Sequence, residues 1–381
     1  MRVFLHSIFG QILFSAYIMW RGGQALPPGK RYRLPFYIIL TLEVVIFLTG
    51  YIFHNYLPDS VFIPLLYICG TWYIASLYIT LVLLAFELFR WINKGWAWYP
   101  MFVNLYWEKT KIALFVLVTI GIAMLMIHGY KNTKYPDVQE VYVTIPKHVE
   151  GHDSLTIVLA SDWHIGEMIG KQQVQHNVKL INDQHPDMIL IGGDILDYEL
   201  RLAEKQHIEA DLLQLRAPLG VFAVLGNHEY RANHLAKLKW IEKAGMKLLV
   251  DSVYSPPDSS FYLIGRDDYT NHKNRATLTS LMQKVDISKP VILLDHQPNH
   301  LTEIAMNHVD LSLHGHTHNG QVWPSPLLLH LVFECPYGYY RKGDTQFFVS
   351  SGVGFAGPPY RIGTSSEIVV LHVHFGMPEE K

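Results

Sequence analysis

Five stretches of this chain set acids, imidazoles or an amide directly after a short apolar run. Ser161-Asp162-Trp163-His164 follows residues 155–160, and Gly192-Gly193-Asp194-Ile195-Leu196-Asp197 follows residues 188–191. Gly226-Asn227-His228-Glu229 follows residues 221–225, Asp295-His296 follows residues 291–294, and His314-Gly315-His316-Thr317-His318 follows residues 311–313. The shared chemistry is oxygen and imidazole lone pairs with no thiolate, a donor set suited to divalent ions such as Mn, Fe or Zn. One ion cannot use so many ligands, so two metals are the economical reading. The glycines before Asp194, Asn227 and His316 let the backbone turn sharply and come close to metal or substrate. Only two cysteines, Cys69 and Cys335, are present, which excludes a disulfide framework or a Cys-rich zinc module.

The elements that position these residues alternate in character. Short apolar runs at residues 138–145, 155–160, 188–191, 221–225, 261–264, 291–294, 311–313, 347–350 and 368–373 read as strands, several apolar on both faces. Helix candidates at residues 172–184, 202–215, 232–244 and 275–285 lie between them, so the class of this half is α/β. In open α/β sheets ligands sit beyond the carboxyl ends of strands, and the five polar loops are therefore expected to converge. The expected domain covers residues 138–377, after a linker at residues 131–137.

Asp-x-His, Gly-Asp-x-x-Asp, Gly-Asn-His-Glu, a lone His after an apolar strand, and Gly-His-x-His occur in that order over about residues 138–375. Together they resemble the five motifs of the calcineurin-like metallophosphoesterase superfamily. Gly-His-Thr-His-Asn-Gly-Gln and the late Ser351-Gly352-Val353-Gly354 are similar to its membrane-anchored branch, related to the bacterial YkuE and YaeI phosphoesterases. The resemblance implies a four-layer α-β-β-α sandwich. It also implies one metal on Asp162, His164 and His318, a second on Asn227, His296 and His316, and Asp194 bridging both. His228 would face the substrate and stabilise or protonate the leaving oxygen, with Asp197 orienting its ring. Asn319 stands where that branch commonly has Gly, and Asn tolerates the left-handed backbone best among other residues. No ligand is substituted, which favours turnover, expected as in-line attack of metal-activated water on phosphorus.

The first third has a different texture. Of 381 residues 50% are hydrophobic and only 17% charged, below the usual soluble share of roughly 25%. Apolar runs at residues 3–20, 35–53, 61–89 and 110–128 are each near the length that a bilayer core demands of a helix. An all-α bundle of four transmembrane helices over residues 1–130 is expected. Arg21, Lys30, Arg31 and Arg33 lie in the first loop and Arg90, Lys94, Lys109 and Lys111 in the third, while the second has no Lys or Arg. Cytoplasmic loops carry such an excess, so the domain after the fourth span is expected on the extracytoplasmic side. Glu43 inside the second span reads equally as an ion contact or as an interhelically bonded carboxyl.

Charge narrows the functional classes. Lys+Arg number 31 against Asp+Glu 33, a net of −2, so no nucleic-acid-binding surface is expected. The expected partners are a phosphate-ester substrate and the lipid bilayer, and a lipid-linked phosphate is attractive because anchoring concentrates the enzyme there. The alternative is a metal-binding membrane sensor or scaffold without turnover, against which the complete ligand set and His228 both argue. Arg361, Tyr360 and Arg266 are candidates for contact with substrate phosphate. Trp163 and Trp323 are candidates for a substrate wall or for packing. His314 reads as strand packing behind the site.

Overall fold

A computed structural model describes residues 2–53, 56–149, 151 and 153–376, leaving aside the side chains of residues 2–7 and 51. It divides into two compact units, Met1–Tyr130 with Gly357–Tyr360, and Lys131–Ala356 with Arg361–Lys381. In the first unit the apolar runs become α1 (Arg2–Ala25), α2 (Lys30–Phe53), α3 (Asp59–Trp96), a short α4 (Met101–Leu105) and α5 (Trp107–Lys134). Three of these helices, α2, α3 and α5, are long and apolar enough among the described residues to cross a membrane, against the four spans expected. The run at 3–20 does form the helix α1, but its opening side chains lie outside the described residues. The rest of α1 carries Gln11 and Ser15 and ends in Arg21-Gly-Gly-Gln. Polar groups therefore interrupt the apolar stretch. The segment expected as a linker is largely the last turn of α5, leaving Tyr135 and Pro136 before the first strand.

The second unit is built from two six-stranded sheets. In one, β1 (Asp137–Ile145), β2 (Ser154–Ala160), β3 (Met188–Ile191), β4 (Val221–Ala223) and β5 (Lys247–Leu248) combine with β12 (Glu367–Phe375), in the order β1-β12-β2-β3-β4-β5. The other orders β6 (Ser252–Tyr254), β7 (Tyr262–Gly265), β8 (Val291–Leu294), β9 (Leu311–His314), β10 (Gly338–Lys342) and β11 (Thr345–Val349) as β10-β11-β9-β8-β7-β6. Short strands β5, β6 and β10 carry no strong apolar run, which is why the sequence pattern passes over them.

Side-chain alternation explains the layers. In β2, Leu155, Ile157 and Leu159 point to a core shared with Ile292, Leu294, Leu311 and Leu313 of the second sheet. Val158 and Ala160, on the opposite face, pack with helix residues such as Val174, Ile181, Leu212 and Ile241. Val291 and Leu293 of β8 face a third core with Leu278, Leu281, Leu301 and Ile304. Three apolar cores between four layers make the expected α-β-β-α sandwich, since strands apolar on both faces must be covered on both. The helix expected over residues 202–215 is divided into α7 (Arg201–Lys205) and α8 (Ile208–Leu212), after α6 (Lys171–Asn182). The break is at His207, whose φ of 53° is left-handed and cannot continue a right-handed helix.

Register brings the polar loops to one level. Ala160 pairs with Ile191 and Ile191 with Ala223, while Leu294 pairs with Leu313. Each of these residues sits at or near the carboxyl end of its strand. The motif-bearing strands, parallel within each mixed sheet, therefore release their loops at the same edge of it.

Candidate metal centre

Loop backbones build the centre before any side chain acts. Asp162 N donates to Gly193 O at 3.0 Å, His164 N to Asp194 O at 3.0 Å, and Gly315 N to His296 O at 2.9 Å. Asp162, His164, Asp194, His316 and His318 all have left-handed φ, between 47° and 73°. Asp and His are among the residues that tolerate this region, which non-glycine residues otherwise avoid. Strain of this kind persists only where surrounding structure enforces it, and it clusters at functional sites. Asn319, at φ 48°, adopts the left-handed conformation that the loop requires. Close approach needs two of the motif glycines: a Cβ on Gly226 would lie 2.2 Å from Asp194 Oδ1, and one on Gly315 would lie 1.9 Å from Ser161 Oγ.

The side chains gather into overlapping groups. Asp162, His164 and His318 offer ligand atoms within 4.8 Å of one another, as do Asp194, His296 and His316. A third group joins His164, Asp194 and His228, so Asp194 belongs to two of the three. Its Oδ2 faces the Nε2 atoms of His296 at 3.4 Å, His164 at 3.7 Å and His228 at 3.9 Å. His318 Nε2 is 3.4 Å from Asp162 Oδ1 and 3.0 Å from His164 Nε2. Asn227 lies outside these acid and imidazole groups by residue type; its Oδ1 is buried with no hydrogen-bond partner among the described residues.

Tautomers decide whether this set fits cations. His296 Nδ1 is 2.7 Å from Gly192 O, and a carbonyl can only accept, so Nδ1 carries the proton. In the neutral ring that metal ligation requires, His296 Nε2 is then a lone pair, buried without a hydrogen-bond partner among the described residues and turned toward the anionic Asp194 Oδ2. His228 repeats the pattern. Its Nδ1 is 2.8 Å from Asp197 Oδ1 and donates to it, leaving Nε2 to face the same Asp194 oxygen. Lone pairs opposed across 3 to 4 Å in a buried site call for positive charge between them. The orphaned Asn227 oxygen makes the same demand, so the residues fit divalent cations.

The pull for positive charge shows in the titration directions: burial opposes charge on His296, yet Asp194 draws its pKa well above the usual histidine range, so without a cation Nε2 takes up a proton in its place. Burial likewise opposes ionisation of Asp194, and His296 outweighs it, holding the carboxyl well below its usual range. His316 is pushed down to about 4 by burial and by His296, which keeps it a neutral imidazole able to ligate. Burial also lowers His228, against the pull of Asp197 and Asp194.

The other sequence candidates fall outside the acid and imidazole groups, and Arg266 lines a separate cavity with Tyr269, His272 and Arg275. Arg361 is fully buried, and its guanidinium donates to the carbonyls of Ser351, Gly354 and His318. It clamps the His318 loop and offers no free face to a phosphate. Arg266 is buried 3.7 Å from Asp295 and donates to Ala276 O. Tyr360 belongs to the helical unit, where its hydroxyl is 2.7 Å from Thr71 Oγ1. Trp163 is fully buried in the core, whereas Trp323 is exposed. His314 is buried, 2.8 Å from Ser312 Oγ and stacked on Phe347, a packing role.

Three residues supporting the centre escaped the sequence reading. The Glu229 carboxylate accepts from the backbone N–H groups of Gly226, Asp194 and Leu196 at 2.8, 3.0 and 3.0 Å, tying two motif loops together. Burial and the Asp194 charge push its pKa up to about 7. Its signal was its place in Gly-Asn-His-Glu. Lys237 is fully buried and donates to the carbonyls of Asp197 at 2.6 Å and His228 at 2.7 Å, with no local signal beyond a charge among apolar helix positions. Arg231 lies over the Tyr198 ring at 4.8 Å, with Nη1 3.3 Å from His228 Nδ1, three residues after that histidine.

Comparison with known proteins places this geometry. The family model for calcineurin-like phosphoesterases matches residues 155–320, the span that contains all the ligand candidates. An uncharacterized metallophosphoesterase of Campylobacter jejuni is 30% identical over 355 residues, covering 89% of this chain and 90% of its own. One from Helicobacter pylori is 33% identical over 249 residues, 64% of this chain and 65% of its own. A Danio rerio transmembrane protein with metallophosphoesterase domain is 30% identical over 270 residues, 66% of this chain and 61% of its own. The chain thus spans less than two thirds of the length of the last two relatives. The apolar helices and this transmembrane relative mark a membrane protein, and the chain belongs to the calcineurin-like phosphoesterase family.

Proposed function

We propose that this chain is a membrane-anchored hydrolase of phosphomonoesters or phosphodiesters, working with two divalent cations and an in-line displacement at phosphorus. The observation that carries the reading is Asp194, a carboxylate shared by two ligand groups and faced by lone pairs. Asp162, His164 and His318 would hold one cation, Asn227, His296 and His316 the other, and Asp194 both. Bound there, Mn, Fe or Zn supplies positive charge that polarises a phosphoryl oxygen and acidifies water near neutral pH.

The chain's own groups do the rest. Asp197 fixes the His228 tautomer and orientation, so Nε2 is the nitrogen turned to the centre. When Nε2 carries a proton it can hand it to the departing oxygen, a general-acid role. Arg231, rather than Arg361 or Arg266, is the guanidinium beside that histidine and would meet negative charge on the ester. Glu229 and Lys237 hold the loops that carry Asp194, His228 and Asp197. The domain is read as extracytoplasmic from the basic loops on either side of the α2–α3 pair, whether or not α1 spans. The domain boundaries proposed are a helical region to residue 130 and the phosphoesterase domain from about 138.

The test is hydrolysis of bis(p-nitrophenyl) phosphate by the purified full chain, with added Mn and after exhaustive chelation, alongside metal analysis. Activity that follows bound metal and disappears in Asp194→Ala supports the reading. Undiminished activity in that variant or after chelation defeats it, and tight metal binding without turnover would leave a sensor or scaffold.

A further inference from the structure

Directly after the ligand-bearing loop, residues 321–333 read Gln-Val-Trp-Pro-Ser-Pro-Leu-Leu-Leu-His-Leu-Val-Phe, without a single Asp, Glu, Lys or Arg. A short helix forms at Ser325–Leu329. Bonds from Leu331 N to Leu328 O and from Val332 and Phe333 N to Leu329 O continue the helical turn. Leu327, Leu328, Leu331 and Val332 fall at i, i+1, i+4 and i+5, one face of that turn. They are 61%, 59%, 82% and 74% exposed, and Trp323 at the head of the segment is 49% exposed. At the segment's other end, Phe333 turns its ring edge-on to His316, with centroids 6.1 Å apart. The segment that carries the bare aliphatic face thus also touches a ligand candidate.

Water-soluble domains rarely expose contiguous aliphatic patches, and those that do use them for a partner. The chemistry of this patch selects the partner: it has no charge for a polyanion, and it has branched aliphatic groups led by a tryptophan. Such helices lie in the boundary between lipid headgroups and acyl chains. A bilayer is within reach by covalent connection, since α5 ends at Lys134 and β1 starts at Asp137.

We propose that residues 323–333 are a lipid-contacting lip beside the metal centre, and that the substrate is a membrane lipid whose phosphoester lies at headgroup level. The substrate part rests on the hydrolytic function proposed above, whereas lipid contact does not. The lip holds the ester edge of the bilayer next to His316, and the acyl chains stay among Leu327, Leu328, Leu331 and Val332.

Two measurements on the full chain in proteoliposomes test this separately. In a Cys69→Ser, Cys335→Ser background, a bimane fluorophore on Leu331→Cys should be quenched by lipids bearing a shallow nitroxide and shielded from aqueous iodide. The same label on Leu213→Cys, an exposed position elsewhere in the domain, should show the reverse. Iodide quenching at 331 overturns the lip, and so does shielding from both quenchers, which would mean that protein covers the segment. In the second measurement, the Leu331→Glu, Val332→Glu double variant should lose about tenfold or more of its hydrolysis of vesicle-borne phosphatidyl-p-nitrophenol, in line with losing one buried aliphatic contact. Its rate on soluble bis(p-nitrophenyl) phosphate should stay unchanged. Equal rates on both substrates, or equal loss on both, overturns lipid delivery. If the unaltered chain with Mn hydrolyses neither substrate, the proposed function fails while the quenching result still decides whether the lip touches lipid.

Discussion

Each of the two units encloses a polar cluster in apolar surroundings, and the two are wired in opposite ways. In the helical unit, Gln11 Nε2 donates to Glu43 Oε2 at 2.9 Å and to Ser15 Oγ at 3.1 Å, and Ser76 Oγ donates to Gln11 Oε1 at 3.4 Å. Donors meet acceptors among these four described side chains, with Glu43 Oε1 left over, so the interhelical reading of Glu43 is favoured over an ion contact. In the metallophosphoesterase unit Asp194 Oδ1 accepts from His228 N, but around Oδ2 acceptors meet acceptors, and the Asn227 Oδ1 and neutral His296 Nε2 lone pairs find no donor among the described residues. A closed hydrogen-bond set joins helices, whereas an open set of lone pairs asks for cations. Burial alone marks neither cluster as functional; the balance of donors and acceptors separates them.

Breaking the open set should have the largest effect. Asp194→Ala removes the shared carboxylate, and both bound metal and phosphodiester hydrolysis should fall to background while far-UV circular dichroism is retained. Survival of full metal content would mean that the lone pairs do not converge on cations. His228→Ala should come next, with kcat lowered by ~10²–10⁴ and metal content kept; loss of metal along with rate would reassign this histidine as a ligand. Glu229→Gln keeps a carboxamide in place but weakens the clasp on three N–H groups, and a loss of roughly 10–100-fold in metal affinity or rate is expected for a supporting group of this kind. Equal metal affinity in titration calorimetry would remove Glu229 from the supporting shell. The smallest effect belongs to the closed set: Gln11→Leu should cost roughly 0.6 kcal/mol of stability in detergent, the typical worth of a hydrogen bond between membrane helices. Its hydrolytic rate should match the unaltered chain, and a large drop would show that the two clusters are coupled.

The strands carrying the motifs were legible because β2, β3 and β8 are apolar on both faces, which is a strong local pattern, while β9 sets Leu311 and Leu313 against Ser312 and His314. The split at His207 was not, because the left-handed residue there has no sequence mark comparable to Gly or Pro. Strands β5, β6 and β10 were missed because edge positions do not require apolar alternation. The surroundings of the arginines were not legible for a related reason. Arg361 and Arg231 have the same guanidinium, and only the tertiary surroundings bind one to backbone carbonyls and set the other beside His228.

The order and spacing of Asp, Asn and His after apolar runs determined by themselves the donor chemistry, the α/β class and the family. Those properties are local, because lone-pair type and strand pattern are written within a few residues. The tertiary structure alone decided that Glu229 and Lys237 clamp the loops around Asp194, that Arg361 is spent on backbone carbonyls, and that an aliphatic face beside His316 is left bare. These depend on which loops the sheet register aligns and which surfaces the packing leaves over, quantities that no single stretch of chain contains.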